Sequence, residues 1–261
     1  MSMPFFDPTT DPGSNFPELL RRVGLATTSA AGLTGTVDAP HATTCVALRF
    51  ADGVVMAGDR RATAGNLISH RAMDKVVQAD SHSGVAIAGT AGPAMEMIKL
   101  FQLQLEHYEK VEGSSLTLEG KANQLSAMVR GNLPAAMQGL VVVPLFAGYD
   151  LLRAEGRLFA YDVTGGRYEE REYIATGSGS LHAGTVIKVG FRSSMNADDA
   201  INLAVRSLWE AADADSATGG PDMLRGIYPI VATITDHGWQ SVSDDDLAVR
   251  FEALAAEVRL R

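Results

Sequence analysis

One cysteine, Cys45, is present among 261 residues. An intrachain disulfide is therefore excluded, and the usage fits a reducing compartment. No run of about 18 apolar residues occurs, so no segment is expected to span a membrane. Basic residues are outnumbered 22 to 31, giving a formal net charge of −9. They form no cluster, which removes the electrostatic footprint that nucleic-acid binding needs. The six histidines (His41, His70, His82, His107, His182, His237) are scattered, with no pair at i, i+3 or i+4. That spacing gives no metal site, and no cofactor is expected. A Gly-x-Ser-x-Gly elbow and a phosphate loop are also missing.

What is present is an ordinary globular balance, 46% hydrophobic and 20% charged, on a chain long enough for a sizeable core. The composition changes near residue 42. Five of the ten prolines (Pro4, Pro8, Pro12, Pro17, Pro40) precede it, amid Gly, Ser and Thr. Such a segment has weak means of burying apolar surface and is expected to be poorly ordered alone, with at most a helical turn over Pro17 to Val23. Arg21-Arg22 faintly resembles a twin-arginine export signal. The following stretch has few bulky apolar residues, and Pro40-His41-Ala42 lacks the small residue expected three positions before a signal cleavage site.

From Thr44 the pattern becomes regular. Cys45 to Phe50 and Val54 to Gly58 predict a hairpin around Ala51-Asp52-Gly53. Strands are predicted at Leu67 to Val77 and Gly84 to Gly89. Met97, Phe101, Leu105 and Tyr108 recur at helical spacing, and a second helical stretch runs from Thr117 to Met137 with Pro134 near its end. Strands return at Val141 to Tyr149, Arg157 to Val163 and Tyr168 to Ala175. A helix follows Gly179, another starts near Asn196 or Asp198, a strand covers Ile227 to Thr235, and Ser243 opens a final helix. Strands in runs and helices in pairs argue against a βαβ parallel sheet. They indicate an α+β fold with two antiparallel sheets sandwiched between helix layers.

Four clusters of residues carry chemistry. They are Thr43-Thr44 at a strand entry, Gly58-Asp59-Arg60-Arg61-Ala62-Thr63, Lys75 within the strand predicted over Leu67 to Val77, and Ala88-Gly89-Thr90-Ala91. Each alone has an ordinary reading, as strand start, turn residue or solvent-facing lysine. In this order and spacing they resemble the N-terminal nucleophile hydrolases, and specifically proteasome β subunits. Val55-Met56-Ala57-Gly58-Asp59-Arg60-Arg61, Met128-Val129-Arg130-Gly131-Asn132, Gly177-Ser178-Gly179-Ser180 and Asp215-Ser216-Ala217-Thr218-Gly219-Gly220-Pro221-Asp222 resemble the actinobacterial β subunit in particular.

The resemblance implies a four-layer α/β/β/α sandwich, a propeptide over 1–42 and a catalytic domain over 43–261. It implies a threonine-type endopeptidase whose nucleophile is Thr43 after autocatalytic cleavage between Ala42 and Thr43. Asp59 and Lys75 align with the family's active-site aspartate and lysine, and Gly89 with its oxyanion glycine. Ser178, Asp215 and Thr218 align with the groups that orient the terminal amine. Ala62, Thr63, Met73, Val77, Ile87, Ala91 and Met95 align with the substrate pocket. Stacked seven-membered rings of α and further β subunits, a cytoplasmic location, a ring ATPase and tagged protein substrates follow from the same likeness. An HslV-type peptidase or a non-catalytic ring subunit are the alternatives. The first group is shorter, and the second lacks the threonine or the lysine. Two departures stand out. Thr218 replaces a common Ser but keeps the hydroxyl. Ala42 replaces a Gly, and a Cβ at the attacked carbonyl is expected to slow self-cleavage.

Overall fold

The alternation of apolar residues along each strand is what divides the interior into three layers of core. A computed structural model describes residues 43–260. The leader over 1–42, its predicted turn and the Ala42 side of the predicted cleavage site lie outside the described residues. The elements are β1 (Thr44–Phe50), β2 (Gly53–Gly58), β3 (Ala62–Ala64), β4 (Leu67–His70), β5 (Val76–Asp80), β6 (Ser83–Gly89), α1 (Ala91–Glu112), α2 (Leu118–Gly131), α3 (Leu133–Ala136), β7 (Val142–Asp150), β8 (Glu155–Tyr161), β9 (Arg167–Glu170), β10 (Tyr173–Gly177), α4 (Ser180–Gly190), α5 (Ala197–Ala214), β11 (Ile230–Thr235), β12 (Gly238–Ser241) and α6 (Asp244–Arg259).

Two five-stranded sheets form, in the orders β10-β1-β2-β11-β12 and β5-β6-β7-β8-β9, with β3 and β4 as a separate pair. Every strand pairing is antiparallel. Val46, Leu48, Phe50, Val55 and Ala57 face α4, α5 and α6, where they meet Ala183, Ala204, Leu208 and Phe251. Their neighbours Cys45, Ala47, Val54 and Met56 face the other sheet and meet Ala86, Leu145, Ala147 and Leu158. On that sheet Val85, Ile87, Phe146 and Phe159 turn outward to Ile98, Phe101 and Leu125 of α1 and α2. The period of two thus feeds three apolar layers and yields the expected α/β/β/α sandwich. Each fully buried side chain of this kind contributes roughly 1.5–3 kcal/mol.

The helix starts follow capping chemistry. Thr117 Oγ1 accepts from Gly120 N at 3.1 Å, Asn196 Oδ1 from Asp199 N at 2.8 Å and Ser243 Oγ from Asp246 N at 3.2 Å.

Several predicted elements divide. Leu67 to Val77 is two strands, β4 and β5, in different sheets, because Met73 N donates to Arg60 O instead of a ladder partner. Lys75 therefore precedes β5 rather than lying inside a strand. Tyr168 to Ala175 divides at Arg171-Glu172, with β9 in one sheet and β10 in the other. The stretch from Thr117 to Met137 breaks at Asn132, since Pro134 offers no N–H to the carbonyl four residues back and sits in the first turn of α3. The strand predicted over Ile227 to Thr235 starts at Ile230, and β3 and β12 carry no clear periodic signal of their own.

Candidate active site

The register of three antiparallel strands brings the predicted residues to one end of the first sheet. Thr44 pairs with Gly177 and Cys45 with Gly58. The start of β1 therefore lies beside the ends of β2 and β10, and Asp59 and Ser178 project from those ends next to Thr43. Thr43 is 5% exposed, Asp59 0% and Lys75 1%.

Asp59 is the hub. Its Oδ1 accepts from Thr44 N at 2.8 Å and Lys75 Nζ at 2.7 Å. Its Oδ2 accepts from Arg61 N at 2.9 Å and Gly219 N at 2.8 Å. A carboxylate has about four acceptor sites, so this one is fully occupied and its charge is compensated without water. Three other chain segments, at Thr44, Lys75 and Gly219, are registered to it.

A second carboxylate, Asp215, joins the side chains of Ser178 and Thr218. Asp215 Oδ2 accepts from Ser178 Oγ at 2.5 Å and Thr218 Oγ1 at 2.6 Å, and Oδ1 accepts from Ala217 N at 3.1 Å. Burial pushes this carboxyl up, but the hydrogen bonds from Ser178, Thr218 and Ala217 outweigh it and hold the group below the ordinary carboxylate value. Ser178 N donates to Thr43 O at 2.9 Å. The structure thus brings Thr43, Asp59, Lys75, Ser178, Asp215 and Thr218 into one connected set.

Gly89 closes β6 with φ +118°, a conformation that disfavours side chains, and a Cβ there would overlap the Val141 carbonyl oxygen. Ala62 and Thr63 lie on β3, Ala91 opens α1, and Met73, Val77 and Met95 pack, half-buried, on the cluster that contains Ile87. None of the seven is charged.

Sequence reasoning gave no role to four neighbours of the site. Thr44, fully buried, bonds Thr218 Oγ1 at 2.6 Å. Arg61 Nη1 reaches Ser216 O at 3.1 Å and Thr218 O at 3.2 Å, clamping that loop to the Asp59 turn. Gly177, at φ +97°, leaves room for the Thr43 carbonyl, which a Cβ would overlap. Cys45 lies between the sheets, where burial pushes its thiol up to about 12 despite the nearby Lys75 cation. The one available signal was the doubled Thr43-Thr44. Arg61 and Gly177 stood inside quoted motifs and Cys45 on a predicted strand, but their partners meet only in the fold.

Among the described residues, no group of three or more His, Cys, Asp or Glu side chains could hold a metal ion, and no helix is long and apolar enough to cross a membrane.

Comparison with known proteins shows the family. The family model described as "Proteasome subunit" matches residues 39–224. A protein named proteasome subunit beta from Acidimicrobium ferrooxidans is 55% identical over 260 residues, covering 99% of this chain and 93% of its own length. Another of that name from Streptomyces griseus subsp. griseus is 60% identical over 214 residues, 82% of this chain and 76% of its own.

Proposed function

The chain belongs to the proteasome subunit family, and we propose that, as a β-type subunit, it cleaves peptide bonds with Thr43 as its nucleophile once residues 1–42 have been removed. The observation that carries this reading is the dry Asp59–Lys75 pair at 2.7 Å, anchored through Asp59 to the backbone of Thr44.

A threonine hydroxyl is a weak nucleophile until a base takes its proton. A free α-amine titrates at about 7.7–8.0 in the absence of perturbation, so the Thr43 amine can serve as that base without a histidine. The fixed Lys75 cation disfavours a second positive charge beside it and so favours the neutral amine. Asp59 keeps Lys75 in place, while Asp215, Ser178 and Thr218 hold the amine. The Thr43 oxygen attacks the substrate carbonyl, and its proton passes to the amine. The Gly89 N–H stabilises the developing oxyanion. The carbon–nitrogen bond breaks as the leaving amine takes that proton, and water then hydrolyses the ester. Before cleavage the Thr43 nitrogen is acylated and cannot be that base, so in release of the leader the Thr43 oxygen attacks the Ala42 carbonyl, its proton goes to the Thr43 nitrogen as the Ala42–Thr43 carbon–nitrogen bond breaks, and water hydrolyses the resulting ester.

The apolar set Ala62, Met73, Val77, Ile87, Ala91 and Met95 favours a large apolar side chain before the scissile bond, gaining roughly 1.5–3 kcal/mol on full burial, and disfavours a charged one. On a fluorogenic peptide panel, cleavage after Leu, Tyr or Phe should exceed cleavage after Arg or Asp.

Family membership implies assembly into a proteasome core. Within it, the reading places this chain in cytoplasmic seven-membered β rings flanked by α rings, fed by a ring ATPase with tagged proteins. Thr43→Ala tests the function directly. Peptide turnover should vanish while the assembly and its melting temperature persist, and retained turnover would overturn the reading.

A further inference from the structure

Resting on the reading of Thr43 as nucleophile and terminal base, we propose that Thr44 is a positioning residue, whose hydroxyl holds in place the hydrogen-bond chain that receives the terminal amine. Strand alternation turns Thr44 away from the inter-sheet face that holds Cys45 and toward the start of α4. There Gly179 N donates to Thr44 Oγ1 at 3.0 Å, and Thr44 Oγ1 lies 2.6 Å from Thr218 Oγ1. Thr218 Oγ1 in turn lies 2.6 Å from Asp215 Oδ2.

The ends of this chain fix its polarity. A backbone N–H can only donate, and an ionised carboxylate can only accept. Each hydroxyl between them has one proton. Thr44 therefore donates to Thr218, and Thr218 donates to Asp215. Ser178 commits its proton to the same Asp215 oxygen, at 2.5 Å. Ser178 and Thr218 are left with lone pairs only. An amine held by these two hydroxyls gives them its N–H groups, and its own lone pair stays free for the Thr43 hydroxyl.

Thr44 is the joint of the arrangement. It fills one acceptor site of Thr218 and supplies the acceptor for Gly179, the residue next to Ser178. Both Thr44 and Thr218 are 0% exposed, so no bulk water can replace either bond. Loss of the Thr44 hydroxyl leaves a buried N–H without its acceptor and lets both amine-facing hydroxyls shift.

The test compares shape with hydroxyl, using chains whose mass begins at Thr43. Thr44→Val keeps the shape and loses the hydroxyl, and Thr44→Ser does the reverse. Peptide turnover should fall about tenfold to a hundredfold in Thr44→Val, the range expected for an abandoned buried donor, with KM within about threefold. Thr44→Ser should keep at least about a third of the parent kcat on the same argument. A packing role predicts the opposite order, because Ser opens a methyl-sized gap that Val does not. If Thr44→Val fails to assemble, Thr44→Ala against Thr44→Ser makes the same comparison. A double-mutant cycle with Thr218→Val should be non-additive, since one chain is being cut twice. Turnover in Thr44→Val equal to or above that in Thr44→Ser, or additive losses in the cycle, would overturn the proposal. Either result can arise while Thr43→Ala remains inactive, so it leaves the assignment of the nucleophile standing.

Discussion

Lys75 and Arg157 are both nearly inaccessible cations, 1% and 2% exposed, yet their surroundings differ in kind. Lys75 is paired with Asp59, which is itself fully buried and also accepts from three backbone N–H groups. Arg157 meets three carboxylates. Its Nε and Nη2 take Glu169, its Nη1 takes Asp150 at 2.9 Å and its Nη2 also takes Glu119 at 2.7 Å. Glu119 and Glu169 are each 41% exposed, and the guanidinium lies 5.0 Å from the Phe159 ring centroid. The hydrogen bond to Glu169 is the largest cause raising the Arg157 pKa, and the hydrogen bonds from Arg157 hold Glu119 and Glu169 below their ordinary values.

The difference separates a structural charge from a reactive one. Arg157 ties α2, β7, β8 and β9 together, and two of its three neutralising acids reach water, so its field is local. Lys75 and Asp59 lie where water cannot screen them, and a charge there acts strongly on the nearest titratable group. In the reading given above, that group is the Thr43 amine.

Removing each cation in turn should break the comparison apart. Lys75→Ala should lower peptide turnover by about a hundredfold or more, the scale of a lost proton-transfer or preorganised electrostatic contribution. Asp59 keeps three N–H donors, so the chain should still fold. Near-parent kinetics in this variant would place Lys75 among the structural charges. Arg157→Met should leave kcat/KM within about twofold yet cost roughly 1–3 kcal/mol, discounted from the fully buried case because two of its acids are solvated. For a chain of this size that is a fall of several degrees in melting temperature. Calorimetry and steady-state kinetics on both variants read the two axes together, and equal damage on both axes in either variant would erase the distinction.

The sequence carried the fold further than it carried the site. Period-two strands, capped helices and their order were legible, because Val46-Leu48-Phe50 and Asn196 or Ser243 declare local preferences. The break between β9 and β10 was not, since Arg171-Glu172 changes sheet without a proline or glycine to mark it. Lys75 was assigned to a strand because nothing local reveals that Met73 bonds to Arg60. Within the site, Thr43, Asp59, Lys75 and Gly89 are expected from resemblance and spacing. Arg157 and its acids escaped notice, and Arg61 stood in a motif without a role, because charged residues in a sequence resemble solvent-facing ones until distant partners are known. Thr44 was visible as half of a doubled threonine, but its partners Gly179 and Thr218 lie 135 and 174 residues away.

The most direct test of the central claim reads the N-terminus and the activity of the same preparation. Intact-mass spectra should be recorded through a maturation time course, alongside peptide turnover. Turnover should rise in proportion to the fraction of chains beginning at Thr43, because only those carry the amine that takes the hydroxyl proton. Full turnover from chains still bearing residues 1–42 would contradict the account.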